Sequence, residues 1–195
     1  MADAVLWGVR LSPFYLKLEA CLQFSGHPYR RLPAQGSRIE NFKYISGLEQ
    51  AKRNHSVKRY PQRSPEFDEY PAVPFFSDEA NGIQYDSSSI AHWLDDQRAS
   101  GSRAPALSPS APALSFLNHL IDEAFDEFGL YMVHHRRWVG SAKTQVMGKL
   151  LAQEFKTALP PGGGAILAKS FPRRQVRRCP YLFSVAPKGG KFREQ

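Results

Sequence analysis

The chain has little sulfur and no long apolar run. Its 195 residues hold two cysteines, Cys21 and Cys179, which is too few for a disulfide framework. Cysteine and histidine at metal-ligand spacing are also missing, so no metal is expected. No uninterrupted apolar stretch approaches the ~18 residues a membrane-spanning helix needs. Met1-Ala2-Asp3-Ala4 lacks the basic start and apolar core of a secretion signal. The expectation by default is a cytoplasmic chain with no membrane partner. Charge of one sign is in excess, at a formal +8. Eight of the basic residues, against Glu194 alone, lie from Lys169 onward. The basicity therefore belongs to the tail. No nucleic-acid motif accompanies it, which argues for a solvated or salt-paired tail over a nucleic-acid partner.

What is present begins with an apolar strand, Val5-Leu6-Trp7-Gly8-Val9, that gives way to Ser12-Pro13-Phe14-Tyr15. Ser12 suits a helix N-cap and Pro13 the first helical position. Phe14, Leu18, Cys21 and Leu22 fall on one helical face, and Gly26 offers a stop before a second strand over 28–32. A hydroxyl at such a strand-to-helix corner meets the positive end of the helix dipole. Ser12 equally serves as a plain cap. Cys21 reads as a small core residue, and Cys179, after Arg177-Arg178, as an incidental cysteine or a thiol with a charge-lowered pKa.

Further on, Tyr70-Pro71-Ala72-Val73-Pro74-Phe75-Phe76 reads as a proline-entered strand. Gly82-Ile83-Gln84-Tyr85-Asp86-Ser87 reads as turn, strand and helix start. A helix is expected over 41–52, inside the long connection from Pro33 to Pro71. The stretch 99–110 is a linker by composition. Two long helices follow, over about 111–137 and 142–159, and Pro160-Pro161-Gly162-Gly163-Gly164 ends the second. The region from Arg173 to Arg178 adds a possible helix, with an apolar segment after it. Three parts are thus expected: 1–98 as an α/β domain, 99–110 as linker, and 111–195 as an all-α domain that is minimal or shortened. An incomplete bundle leaves apolar faces that need a partner, which favours a homodimer.

The order of strand, helix, strand, connection, Val-Pro strand, strand and Asp-Ser helix resembles the thioredoxin-like domain of glutathione transferases. The resemblance implies a four-stranded mixed sheet with an all-α second domain, and a cis bond at Val73-Pro74. It implies that Ser12, Phe14, Val73, Pro74, Asp86 and Ser87 contact glutathione as cosubstrate. Val73 would offer its backbone to the cysteinyl part, and Asp86 and Ser87 would hold the γ-glutamyl end. A basic residue for the glycyl carboxylate is implied among Lys52, Arg53, Lys58, Arg59 and Arg63, without one of them being singled out. Ser12 is the expected sulfur contact and Tyr15 the reserve catalytic candidate. An apolar pocket for a small electrophilic substrate is expected around Phe128, Tyr131 and Met132.

Ser12-Pro13-Phe14-Tyr15-Leu16-Lys17-Leu18-Glu19 also resembles the Ser-Pro-Phe-Cys-Leu-Lys-Leu-Glu of proteins related to the metaxins and the failed-axon-connections group, with Tyr15 at the cysteine position. Against glutaredoxin's Cys-Pro-Tyr-Cys both thiols are replaced, by Ser12 and Tyr15. Disulfide exchange needs an attacking thiolate, so that activity is not expected here. Two readings remain: a glutathione transferase, and a non-catalytic binding or scaffold protein that keeps the fold.

Overall fold

A computed structural model describes residues 4–60, 71–98 and 106–182. Arg63, Tyr70, the linker stretch 99–105 and the tail from Phe183 onward lie outside the described residues. Strand β1 (Val5–Trp7) leads to α1 (Pro13–Phe24), β2 (Arg30–Leu32), α2 (Arg38–Arg53), β3 (Phe75–Asp78), β4 (Gly82–Tyr85) and α3 (Ser87–Asp96). The strands form one mixed sheet in the order β2-β1-β3-β4. β1 runs parallel to β2 and antiparallel to β3, which is antiparallel to β4. This is the thioredoxin-like arrangement implied above. Val73-Pro74 is cis, as is Leu32-Pro33.

Alternation along the strands sends successive side chains to opposite faces. Leu6 and Phe76 face α1 and α3, and pack with Leu18, Leu22, Ile90, Trp93 and Leu94. Trp7, Phe75 and Ser77 face α2. There Trp7 stacks on Tyr44 at 5.0 Å, Lys52 lies 4.9 Å from the Phe75 ring centroid, and the Tyr44 and Ser77 hydroxyls are 3.2 Å apart.

β1 ends sooner than the apolar run does, because Gly8 takes a φ of +151°. A Cβ built there would stand 2.7 Å from the Tyr15 ring, so glycine is what lets the chain turn tightly over that side chain. α2 starts three residues before the expected 41. Ser37 caps it, accepting from the Glu40 N–H at 3.2 Å while Glu40 accepts from the Ser37 N–H at 2.8 Å, a reciprocal capping box. The Ser37 N–H and then Arg30 hold the Glu40 carboxyl down at about 2.

Beyond Leu107 and Ser108, whose N–H groups donate to Asp95 at 2.7 and 2.8 Å, the described chain is all helical. It contains α4 (Pro112–Ala124), a π-helical turn (Phe125–Gly129), α5 (Leu130–Trp138), α6 (Val146–Glu154) and α7 (Gly163–Leu182). The chain divides into two compact units, one through Asp122 and one from Glu123. None of these helices is long and apolar enough to cross a membrane, among the described residues.

The second helix, α6, is shorter than the expected 142–159 and ends before Pro160 as expected, and Gly163 and Gly164 of the stop already open α7, which continues through Pro172. A proline there leaves the Ala168 carbonyl without its helical N–H donor. Gly148 of α6 fits against that carbonyl: a Cβ on it would be 2.2 Å from the Ala168 oxygen and 2.8 Å from Pro172. α5 and α7 share a polar link, with Cys179 Sγ 3.3 Å from His134 Nδ1 and His134 Nε2 3.1 Å from Gln175 Oε1. Burial raises the Cys179 thiol pKa, so the lowering expected from the neighbouring arginines does not prevail. Cys21 is partly buried against the first core, and burial raises its thiol pKa as well.

Candidate functional site

The register of the sheet gathers the sequence motifs at one end. Trp7, the last residue of β1, pairs with Phe75, the first of β3, and Phe75 pairs with Tyr85, the last of β4. Ser12 follows β1, Val73-Pro74 precedes β3, and Asp86-Ser87 follows β4. All three motifs therefore flank the sheet at the same end of its strands, where helix N-termini and open backbone favour ligands.

Ser12 is the N-cap of α1, with Pro13 in the first helical position. Its Oγ accepts the Tyr15 N–H at 3.4 Å. A hydroxyl has one proton and two lone pairs, so this capping role leaves the Ser12 O–H able to donate. Phe14 follows, half-buried in the first turn. Tyr15 sits elsewhere: it is 2% exposed and belongs to the core under Gly8. Burial and then Glu19 push its phenol pKa far up. The hydroxyl left at the corner is that of Ser12. Val73 is 41% exposed, which keeps its main chain approachable, and Pro74 behind it is buried.

Asp86 is held in an uncommon conformation, φ 73° and ψ 112°. Its Oδ1 accepts the N–H groups of Ser88 at 3.0 Å and Ser89 at 3.2 Å, capping α3. Its Oδ2 accepts Arg59 Nε at 2.6 Å, and the second Arg59 nitrogen closes a salt bridge. Backbone strain of this kind persists only where its surroundings over-determine it. Here they do. The Lys58 N–H donates to Ile83 O at 2.8 Å and the Tyr85 N–H to Lys58 O at 3.0 Å, laying this segment beside β4. The Tyr60 N–H donates to Ser89 Oγ at 2.6 Å, and Ser89 Oγ donates back to Tyr60 O. Ser87 is buried in the first position of α3. On the α1 side, Lys17 Nζ donates to Ser88 Oγ at 2.6 Å and pairs with Asp122 at 2.6 Å, while Ser88 Oγ donates to Asp122 at 3.0 Å.

Among the described residues of the basic stretch, the Arg59 side chain reaches Asp86, the residue expected to meet the γ-glutamyl end. Lys52 lies over Phe75 and pairs with Glu49. Of the residues expected around a second-substrate pocket, Phe128 and Met132 are exposed and Tyr131 is half-buried.

A mixed sheet in this order, with a Ser-Pro helix start, a cis Val-Pro strand entry and an Asp-Ser helix start at one end of its strands, makes the chain glutathione-transferase-like in its fold. No family model matches the chain, and no curated protein matches it. Among solved structures, a glutathione transferase from Phanerochaete chrysosporium is 15% identical, over 97% of this chain and 67% of that one, with a TM-score of 0.48. A glutathione transferase family member from Pseudomonas fluorescens, with bound glutathione, is 14% identical over 94% and 72%, with a TM-score of 0.34. Maleylacetoacetate isomerase from Anaeromyxobacter dehalogenans, with glutathione bound in its active site, is 14% identical over 98% and 74%, with a TM-score of 0.31. At such values these likenesses carry no weight for the site, which stands on the register and contacts of this chain.

Proposed function

We propose that the corner formed by Ser12, Val73-Pro74 and Asp86-Ser87 binds glutathione, and that the protein is a transferase which activates its thiol for attack on a small electrophile. The observation that carries the reading is the convergence of the three motifs at one end of the sheet, fixed by the pairing of Trp7, Phe75 and Tyr85. A cysteine-type thiol has a pKa of about 8.5, so only a few per cent is thiolate at neutral pH. The Ser12 hydroxyl, with its proton free to donate, stabilises the anion by a charge-assisted hydrogen bond. The positive end of α1 adds to this. Val73 would meet the cysteinyl backbone. The Arg59–Asp86 pair would meet the γ-glutamyl end, where the peptide ammonium shares the Asp86 carboxylate with Arg59. In this reading the protein acts as a homodimer in the cytoplasm.

A non-catalytic binding or scaffold role is the second reading, and one observation favours it. Both carboxylate oxygens of Asp86 already have partners, in Arg59 and in the α3 cap. A corner that only braced the fold would need nothing more.

Calorimetric titration with glutathione, followed by turnover of generic electrophiles, separates the two. The transferase reading expects saturable binding and conjugation. Ser12→Ala should leave affinity nearly intact, raise the pKa of the bound thiol in an ultraviolet thiolate titration, and lower turnover at pH 7. Removing one such donor from a dry site typically lowers the rate about 10²–10³-fold, and less in an open cleft. Binding without turnover of any electrophile would transfer the lead to the scaffold reading. Absence of binding would remove the glutathione assignment.

A further inference from the structure

A second polar site lies on the other flank of α1. α3 packs against α1, whereas β2 closes the opposite edge of the sheet. Between α1, the turn after it and β2 there is an open cavity of about 540 Å³. Its floor is Glu19, only 5% exposed. Arg10 grips that carboxylate with Nε at 2.9 Å from Oε2 and a terminal nitrogen at 2.9 Å from Oε1. The Tyr29 hydroxyl reaches Oε1 at 3.5 Å. Arg31 faces the same oxygen from 3.9 Å, within ion-pair range and beyond hydrogen-bonding distance.

The Arg10–Glu19 fork accounts for the buried carboxylate, which could not remain charged inside the protein without a partner. It does not account for Arg31. Among the described residues the Arg31 guanidinium makes no hydrogen bond, although its side chain is only 27% exposed. Among the described residues, two guanidinium groups stand around this one carboxylate, one positive charge more than negative. His27 adds little to it, since burial lowers the pKa of that imidazole, with Asp78 opposing, and so favours the neutral ring. The remaining wall is partly apolar, with Leu22, Pro28 and the Tyr29 ring.

We propose that this cavity binds a small organic anion, with a carboxylate or phosphate head at Arg31 and an apolar body against Pro28 and Tyr29. Five N–H donors in a planar fork match either oxyanion. Glu19 fixes Arg10 and keeps Arg31 close before a ligand arrives, so little ordering remains on binding. The site shares no residue with the Ser12 corner and is independent of the glutathione reading.

The test is a chemical-shift titration of the intact protein with phenyl phosphate, with benzoate, and with benzyl alcohol as the uncharged analogue. The anions should move the amide signals of Gly26, Tyr29 and Arg31 saturably, and benzyl alcohol should not. The relative affinity of the two anions assigns the head group. Added sodium chloride should weaken the binding. Arg31→Gln leaves the Arg10–Glu19 fork in place, which an unchanged melting temperature would verify, and should lower affinity about tenfold or more. Ser12→Ala should leave it unchanged. Equal affinity in Arg31→Gln, equal binding of benzyl alcohol, or no saturable shift with either anion at about 10 mM would overturn the proposal.

Discussion

The α/β unit and the helical unit dispose of their apolar side chains differently. In the first, Leu6, Leu18, Leu22, Phe76 and Ile90 are completely buried, because a sheet offers two faces and helices cover both. Among the described residues from Glu123 onward the buried hydrophobic side chains are Trp138, Leu151 and Cys179, while Phe125, Phe128, Met132 and Ile166 are 68–72% exposed, a level reached in the first unit by Ile39 and Phe42 of α2. Helices without a sheet bury only the stripes they turn toward one another. The second unit compensates with close backbone approach at Gly148 and with the His134–Gln175–Cys179 link. Stability should therefore be concentrated in the first unit and depend on fewer residues in the second.

The largest effect that follows is a core truncation. Phe76→Ala removes a fully buried ring that packs beside Trp93 at 5.7 Å between centroids, and should destabilise by about 3–5 kcal/mol. Ile166→Ala, on the exposed side of α7, should change stability by no more than about 0.5 kcal/mol. Urea unfolding of both variants is the measurement. Comparable losses would mean that the Ile166 face is covered in solution, and the contrast between the units would fail.

Two glycines sharpen the comparison at an intermediate scale. Gly8→Ala meets both a φ of +151° and the Tyr15 ring at 2.7 Å; Gly148→Ala meets the Ala168 carbonyl oxygen at 2.2 Å. Each should destabilise by about 1–3 kcal/mol, the usual range for forcing atoms into a packed site. The readouts differ. Gly8→Ala should also disturb the Ser12 corner, since the same turn places it, whereas Gly148→Ala should separate α6 from α7 and leave glutathione titration unchanged.

Much of this was legible in the sequence, and the misses have physical causes. The Ser-Pro helix start, the Val-Pro strand and the Asp-Ser helix start are local signals, so their elements came out in the right order. The buried face of α1 did not. Phe14, Leu18, Cys21 and Leu22 form the apolar stripe by spacing, yet the chain buries Tyr15, Leu18, Glu19 and Leu22. A carboxylate inside is tolerable only because Arg10, nine residues away, grips it, and no periodicity reveals that. Arg59 likewise sits 27 residues from Asp86, and a stretch with five basic residues gives no reason to choose one. The length of α7 was hidden by Pro172, which reads as a breaker until Gly148 is seen to occupy the space beside the freed carbonyl. The Ser37–Glu40 capping box, by contrast, is a local Ser-x-x-Glu signal that fixes the start of α2 from sequence alone.

The smallest expected effect is a pH dependence that each unit owes to one histidine. His27 lies 5.5 Å from Phe76 and 6.0 Å from Trp93 between ring centroids; burial lowers its pKa, with Asp78 opposing. Burial also lowers that of His134, aided by Arg178, Arg137 and His135 and opposed by Gln175. A histidine with a depressed folded pKa binds its proton less readily than the unfolded chain does. Both contributions are therefore complete above the unfolded value of about 6.5. They diminish as pH falls below it, and the loss levels off once the folded state is protonated too. Urea midpoints should be flat from about pH 8 to 7 and fall toward pH 5. The tryptophans tell the units apart, with Trp7 and Trp93 in the first and Trp138 in the second. In a Trp138→Phe background, His27→Asn should flatten the acid slope followed by fluorescence. With Trp138 as the remaining probe, His134→Gln should do the same. If either replacement flattened both signals equally, the two units would unfold as one cooperative body, and their different packing would not translate into separate stabilities.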